Sequence, residues 1–320
     1  MTKKIGHSNA LALLRGALLA GSALLAAPGL GQAKPLQMIG VTMGSLGNPY
    51  FVALTKGVTD AANAGGQHVR VVAVSADYDL NKQFTQIDNF IAAGANLIVL
   101  NAVDPNAILP AIKRAQAAGI VVVAADVVAS GADATVETDN TLAGTLSCQF
   151  LAQKLGGKGN VVIENGPQVS AVTDRVKGCK AALAQSPGIR ILSSDQDGKG
   201  SRDGGLSVMQ GYLIRYPELN GLFAINDPQA IGSELAAKQQ HRTNIVITSV
   251  DGAPDIVSAL KSNGLIAASA SQDPYGMGQL ATKLGKQILD GQPPAEKVVL
   301  MKPKLINKDN VGSYVGWTSH

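Results

Sequence analysis

Histidine is scarce in this chain. Its 320 residues include four, His7, His68, His241 and His320, and they stand far apart. No His-Glu-x-x-His pair, no cluster of Cys and His and no P-loop sequence occurs, so the usual zinc and nucleotide-hydrolysing sites are excluded. No Ser-His pairing can be built for nucleophilic catalysis. His68 and His241 fall just before expected strands, at the end of the sheets opposite the polar residues considered below. Gly44-Ser45-Leu46-Gly47 is a glycine turn without the third glycine of a dinucleotide fingerprint. Charged residues make up only 16% of the sequence. No long basic run is present, which argues against nucleic acid as a partner. Cysteine is limited to Cys148 and Cys179. These can pair in an oxidising compartment or pack as two small buried thiols, and their spacing does not choose between the two.

The first residues follow a different rule. A basic stretch carrying Lys3, Lys4 and Arg15 precedes an uncharged apolar run from Gly16 to Ala27, then Pro28-Gly29 and Gly31-Gln32-Ala33. That order is the pattern of a secretory signal peptide, residues 1–33, with cleavage expected after Ala33 and export to the periplasm. A membrane anchor is the weaker reading, because the apolar run is shorter than the ~20 residues that span a bilayer. Cleavage removes three of the 27 basic residues and none of the 23 acidic ones. The formal charge of +4 therefore says little about partners. The remainder is long enough for two domains of about 100–200 residues each.

Short apolar runs alternate with amphipathic segments along the rest. The expected strands are 37–43, 69–75, 97–101, 121–126, 160–164, 189–193, 221–225, 245–250 and 265–270. Helices are expected near 49–64, 81–93, 106–118, 141–155, 172–185, 203–215, 228–239, 253–262 and 275–290. Continuous apolar strands joined through helices imply an α/β fold with doubly wound, buried parallel sheets. Punctuation agrees: Pro49, Pro105, Pro228, Pro254 and Pro274 sit at expected first turns, and Gly94 and Gly119 follow expected last turns. Asp133–Thr141 separates two such series and is the expected interdomain hinge, with Asp139 or Asn140 capping the next helix.

Ligands of open parallel sheets collect beyond the carboxyl ends of the strands. Those ends here carry Asn48 with Tyr50 and Phe51, then Asn101, Asp126, Asn226-Asp227, Asp251 and Gln272-Asp273. Any one of them could cap a helix or make a turn instead. As a set they suit hydroxyl groups, since carboxylates accept from hydroxyls while Asn and Gln both donate and accept. Tyr50 or Phe51 could cover the C–H face of such a ligand; core packing is the rival role for both rings.

In order and spacing, Gly47-Asn48-Pro49-Tyr50-Phe51, Leu100-Asn101, Thr138-Asp139-Asn140, Val208-Met209-Gln210, Phe223-Ala224-Ile225-Asn226-Asp227 and Val250-Asp251-Gly252-Ala253-Pro254-Asp255 resemble the periplasmic sugar-binding proteins of the ribose-binding type. The resemblance spans nearly the whole chain after residue 33. It implies two Rossmann-like lobes joined by three crossings, the type I periplasmic binding protein fold. The lobes would be 36–138 with 273–301, and 139–272 with 302–320. It also implies delivery of ligand to the membrane permease of an ABC importer; presentation to a chemoreceptor or sensor kinase is an alternative output of the same fold. The carried-over ligand residues are Asn48, Tyr50, Phe51, Asn101, Asp126, Asn226, Asp251 and Gln272. Three positions depart from the pattern. Val127 stands where ribose binders have arginine, Thr173 replaces a second arginine with Arg175 two positions on, and Gly200 replaces an aromatic residue. Thr173 and Arg175 join the candidate site. The departures point away from ribose and from anionic ligands, which arginine usually clasps. A neutral pentose, hexose or sugar alcohol is expected, with an aminated relative as the alternative.

A monomer without cofactor or metal is expected, closing its lobes on the ligand. A sugar-modifying enzyme is the first rival reading. The second is a transcription regulator of the lactose-repressor type, which needs a DNA-binding module where this chain carries its export signal.

Overall fold

The computed structural model describes residues 35–66 and 68–317; the signal peptide expected over 1–33 lies outside them. The first sheet contains β1 (Met38–Met43), β2 (Arg70–Ser75), β3 (Leu97–Leu100), β4 (Val121–Ala125), β5 (Ala134–Thr138) and, later in the chain, β11 (Val298–Met301). The second contains β6 (Lys158–Glu164), β7 (Gly188–Ser193), β8 (Leu219–Ala224), β9 (Val246–Asp251), β10 (Ile266–Ser271) and β12 (Lys304–Asn307). The sheet orders are β11-β5-β4-β3-β1-β2 and β12-β10-β9-β8-β6-β7, so one topology occurs twice. Every pairing is parallel except β10 with β12. β1 and β3 are buried along their whole length, as strands covered on both faces must be.

Nine helices cover the sheets among the described residues. They are α1 (Pro49–Asn63), α2 (Leu80–Ala92), α3 (Leu109–Ala117), α4 (Asn140–Lys154), α5 (Ser170–Leu183), α6 (Arg202–Arg215), α7 (Asp227–Gln239), α8 (Pro254–Lys261) and α9 (Pro274–Leu289). The nine expected strands all occur; β5, β11 and β12 are additional. The last two end their sheets. The helix expected near 106 begins at Leu109, because Asp104 accepts hydrogen bonds from the backbone of Asn106 and Ala107 at 2.9 and 2.8 Å. That turn competes with the first helical turn. Pro105 therefore lies in the loop, and Pro110 takes the first-turn position.

The chain passes between sheets three times: after β5 into α4, after β10 into α9, and between β11 and β12. α9 returns to pack on α1 and β4 of the first lobe. Asp139 caps α4, accepting from Leu142 N at 2.9 Å. The last described residue, in a segment expected in the second lobe, touches both. Trp317 packs edge-on to Tyr50 with ring centroids 5.6 Å apart, and its indole N–H donates to the Asp251 carbonyl at 2.9 Å.

Two apolar clusters each cover one outer sheet face, and a third runs through both lobes from Ile98 to Ile163. Inside the second lobe, α4 and α5 meet at Gly144 and Gly178. A Cβ at Gly144 would come 2.0 Å from the Arg175 carbonyl oxygen, and one at Gly178 would come 2.0 Å from that of Thr141. Only glycine permits so close an approach. Cys148 and Cys179 form a disulfide across the same pair, with Cα atoms 5.0 Å apart. Helix α5, which carries Arg175, is thereby fixed against α4.

Candidate functional site

The carboxyl ends of both sheets face one another, and between them lies a cavity lined from both lobes. Asn48, Tyr50, Phe51, Asn101, Asp126, Arg175, Asn226, Asp251 and Gln272 all line it. The lobes touch beside it, where Val128 N of the first donates to Ser170 Oγ of the second at 2.8 Å.

On the first lobe, Asn101 organises the wall. Its Nδ2 donates to Asp126 Oδ2 at 3.0 Å, and its Oδ1 accepts from Gly44 N at 3.0 Å. Gln83 Nε2 holds the Asn101 carbonyl at 2.8 Å. Asp126 is buried, and its second oxygen, Oδ1, has no hydrogen-bond partner. Burial raises its pKa from the ordinary carboxylate value, against the lowering effects of Arg175, Tyr50 and Asn101. Burial and then the Asp126 charge push the Tyr50 hydroxyl well up, so it remains a donor. The Tyr50 and Phe51 rings stand edge to face at 5.4 Å. Both rings are therefore core and cavity wall at once.

On the second lobe, Arg175 enters from the first turns of α5 and is 5% exposed. Its Nε donates to Asn140 Oδ1 at 2.9 Å and its NH1 to the Ile225 carbonyl at 2.9 Å; NH1 also lies 3.5 Å from Asp251 Oδ1. Gln272 Nε2 donates to the same Asp251 oxygen at 2.7 Å, and its Oε1 lies 3.4 Å from the Tyr50 hydroxyl. Burial raises the pKa of Asp251, while Arg175 pulls it back down. Below the cavity, Asp227 accepts from Ser269 Oγ and Ala253 N, both at 2.7 Å, and burial pushes its carboxyl up to about 6. Glu164 lies under the neighbouring strand end and accepts from Gln229 Nε2 at 2.8 Å and from Ser233. Burial raises it to about 8.

Asn48 and Asn226 do what the alternative reading expected and also line the cavity. Asn48 Oδ1 caps α1 by accepting from Tyr50 N at 3.0 Å, and Asn226 Oδ1 caps α7 by accepting from Gln229 N at 3.1 Å. Capping engages the amide oxygens, and Asn226 Nδ2 donates to the Gly200 carbonyl at 3.0 Å. Val127, in place of an arginine, is a buried apolar side chain.

Thr173 does not belong to this set. It is exposed on α5, and its hydroxyl donates to the Ser170 carbonyl at 2.9 Å. Residues two apart on a helix point about 200° away from one another, so Arg175 and Thr173 cannot both face the cavity. Arg175, the other of the two added candidates, lines the cavity, and its contacts are made to protein atoms. Sequence reasoning also missed Tyr78, which lines the cavity from the β2–α2 loop. That loop follows a strand's carboxyl end, so the rule that found the others pointed to it as well. Among the described residues no group of three or more His, Cys, Asp and Glu could hold a metal ion.

Residues 39–293 match the family model described as periplasmic binding protein domain. The ribose import binding protein of Bacillus subtilis is 32% identical over 259 residues, covering 79% of this chain and 82% of that protein. The chain belongs to the periplasmic binding protein family. A second relative within it, the xylitol-binding protein of Mycolicibacterium smegmatis, is 30% identical and covers 78% of this chain and 71% of its own. Among solved structures, an ABC transporter solute-binding protein from Mycobacterium smegmatis with bound glycerol superposes with a TM-score of 0.82 at 30% identity, over 89% of this chain and 99% of that one. The two-lobed fold with three crossings is that of type I periplasmic binding proteins. No helix among the described residues is long and apolar enough to cross a membrane.

Proposed function

We propose that this periplasmic binding protein holds one neutral monosaccharide or sugar alcohol between its lobes and delivers it, unchanged, to the permease of an ABC importer. The ligand residues are Asn48, Tyr50, Phe51, Tyr78, Asn101, Asp126, Arg175, Asn226, Asp251 and Gln272. The three crossings act as a hinge between 36–138 with 273–301 and 139–272 with 302–320. The signal peptide leads to export, and the importer reads closure of the lobes rather than the solute.

One observation carries this reading. Two buried carboxylates and several amides from both lobes converge on one cavity, and Asp126 Oδ1 has no partner among them. Hydroxyl groups complete such a network, because each can donate to a carboxylate and accept from an amide or guanidinium. An anion suits it poorly, since Arg175 already serves Asn140, Ile225 and Asp251. Its relatives named for ribose import and for xylitol support the ligand class.

A thermal-shift screen of the chain without residues 1–33 against pentoses, hexoses and alditols tests the proposal. A ligand at a hundredfold excess over its Kd stabilises the folded state by about 2.7 kcal/mol. Scattering in the presence of a hit is expected to report a more compact particle. No shift with any sugar or alditol, or binding followed by chemical conversion of the sugar, would overturn it.

A further inference from the structure

The loop after β2 carries an aromatic ring into the cleft at a conformational cost. Asp77 and Tyr78 have φ of 53° and 55°, the left-handed region that non-glycine residues adopt infrequently. Tyr78 N donates to the Gly44 carbonyl at 3.0 Å, and the ring then lies directly on Gly44. A Cβ at Gly44 would meet Tyr78 Cε1 at 2.8 Å. Across the cleft stands Gly200 of the second lobe, where a Cβ would lie 3.9 Å from the Tyr78 hydroxyl. Gly200 is itself pinned, its N–H by Gln229 Oε1 at 2.8 Å and its carbonyl by Asn226 Nδ2 at 3.0 Å.

Two cavities meet at this contact. The inner one holds Asp126, Arg175 and Asp251. The outer one, about 540 Å³, opens at the cleft mouth between Ser45, Arg202, Pro254 and Asp255. Asn48, Tyr78 and Gly200 are the residues that line both. Glycine contributes no side chain and the Asn48 oxygen is engaged in capping, so the phenol of Tyr78 is the bulk of the partition.

We infer that Tyr78 is a specificity-determining residue that closes the inner site toward the cleft mouth. It excludes glycosides and ethers whose substituent would project toward the cleft mouth. The inference rests on the proposed sugar-binding function and adds to it a limit on substituents. A substituent directed at this wall meets a ring clamped between two backbones, and close-packed protein yields little to extra atoms. With the ring removed, the outer cavity offers ample room for a methyl, benzyl or second glycosyl group.

The experiment compares the wild-type protein, Tyr78→Phe and Tyr78→Gly by titration calorimetry. The probes are D-ribose, D-arabinose, D-allose, xylitol and myo-inositol, together with their mono-O-methyl and mono-O-benzyl regioisomers. Glycine takes the left-handed backbone of position 78 without strain, so the Tyr78→Gly variant keeps the loop. Wild type and Tyr78→Phe are expected to prefer a parent sugar to each of its ethers by roughly 10–100-fold or more. In Tyr78→Gly the preference should collapse toward unity for at least one regioisomer. An unchanged preference in Tyr78→Gly, or wild-type protein that already binds every ether as tightly as its parent, overturns the inference and leaves the sugar-binding function intact. Failure of every probe to bind wild type sinks both.

Discussion

Asp126 and Asp251 occupy equivalent stations in the two sheets, and both hold left-handed backbone conformations. Each stands at the carboxyl end of the third strand of its sheet, β4 and β9, with φ of 72° and 136°. Such conformations cost about 1–3 kcal/mol each in non-glycine residues and persist where the surroundings fix them. The repeated topology thus brings two strained, buried carboxylates into one cavity from opposite sides.

Asp126→Asn separates binding from folding. Asparagine tolerates the left-handed backbone and removes a buried carboxylate oxygen that lacks a protein partner. The free protein should melt at or above the wild-type temperature. Affinity for a sugar or alditol found by screening should fall by about 10–100-fold, the value of a hydrogen bond to a charged group. Calorimetry and thermal melts of the same preparation check both halves.

Arg175 is expected to matter for stability as well as for ligand. Arg175→Met leaves Asn140, the Ile225 carbonyl and Asp251 without their shared donor, a loss on the order of 3–5 kcal/mol for one partner of a buried ion pair. Arg175→Lys should recover only part of it, because an ammonium cannot reproduce the guanidinium fork. Urea unfolding of the three proteins in the absence of sugar gives the comparison. Equal stability of all three would contradict a structural role for the Arg175 network.

Stability should decline as pH rises from about 4.5 to 8. Burial raises Glu164 from the ordinary value of 4.5 to about 8 and Glu137 to about 7. Across that window the folded chain binds more protons than the unfolded one, so deprotonation favours unfolding. Below the lower limit both states are protonated and the effect vanishes. Glu164→Gln, which keeps an acceptor and cannot ionise, should flatten the pH profile of the melting temperature. A profile of unchanged slope would show that Glu164 does not titrate in this range.

Reducing the Cys148–Cys179 bond frees a loop of 31 residues. Chain-entropy arguments assign about 3–4 kcal/mol to a closure of that length. Chemical unfolding with and without reductant should show the difference. The double substitution Cys148→Ser with Cys179→Ser should behave as the reduced protein. Loosening the α4–α5 contact should also weaken ligand binding, since α5 carries Arg175.

What the chain order alone determined is the alternation of strands and helices, the helix caps, and the gathering of Asn, Asp and Gln at strand ends. These are local: they depend on apolar runs, on prolines at first turns, and on side chains that reach their own backbone. Tertiary structure decided the rest. β11 and β12 are edge strands, and they exist because a partner strand is already in place. The pairing of Cys148 with Cys179 required two helices to approach through Gly144 and Gly178. Arg175 faces the cavity and Thr173 faces water because of the rotation of one helix about its axis, which spacing in the sequence cannot fix. Tyr78 became a wall only when Gly44 and Gly200, distant in the chain, closed on it from both lobes.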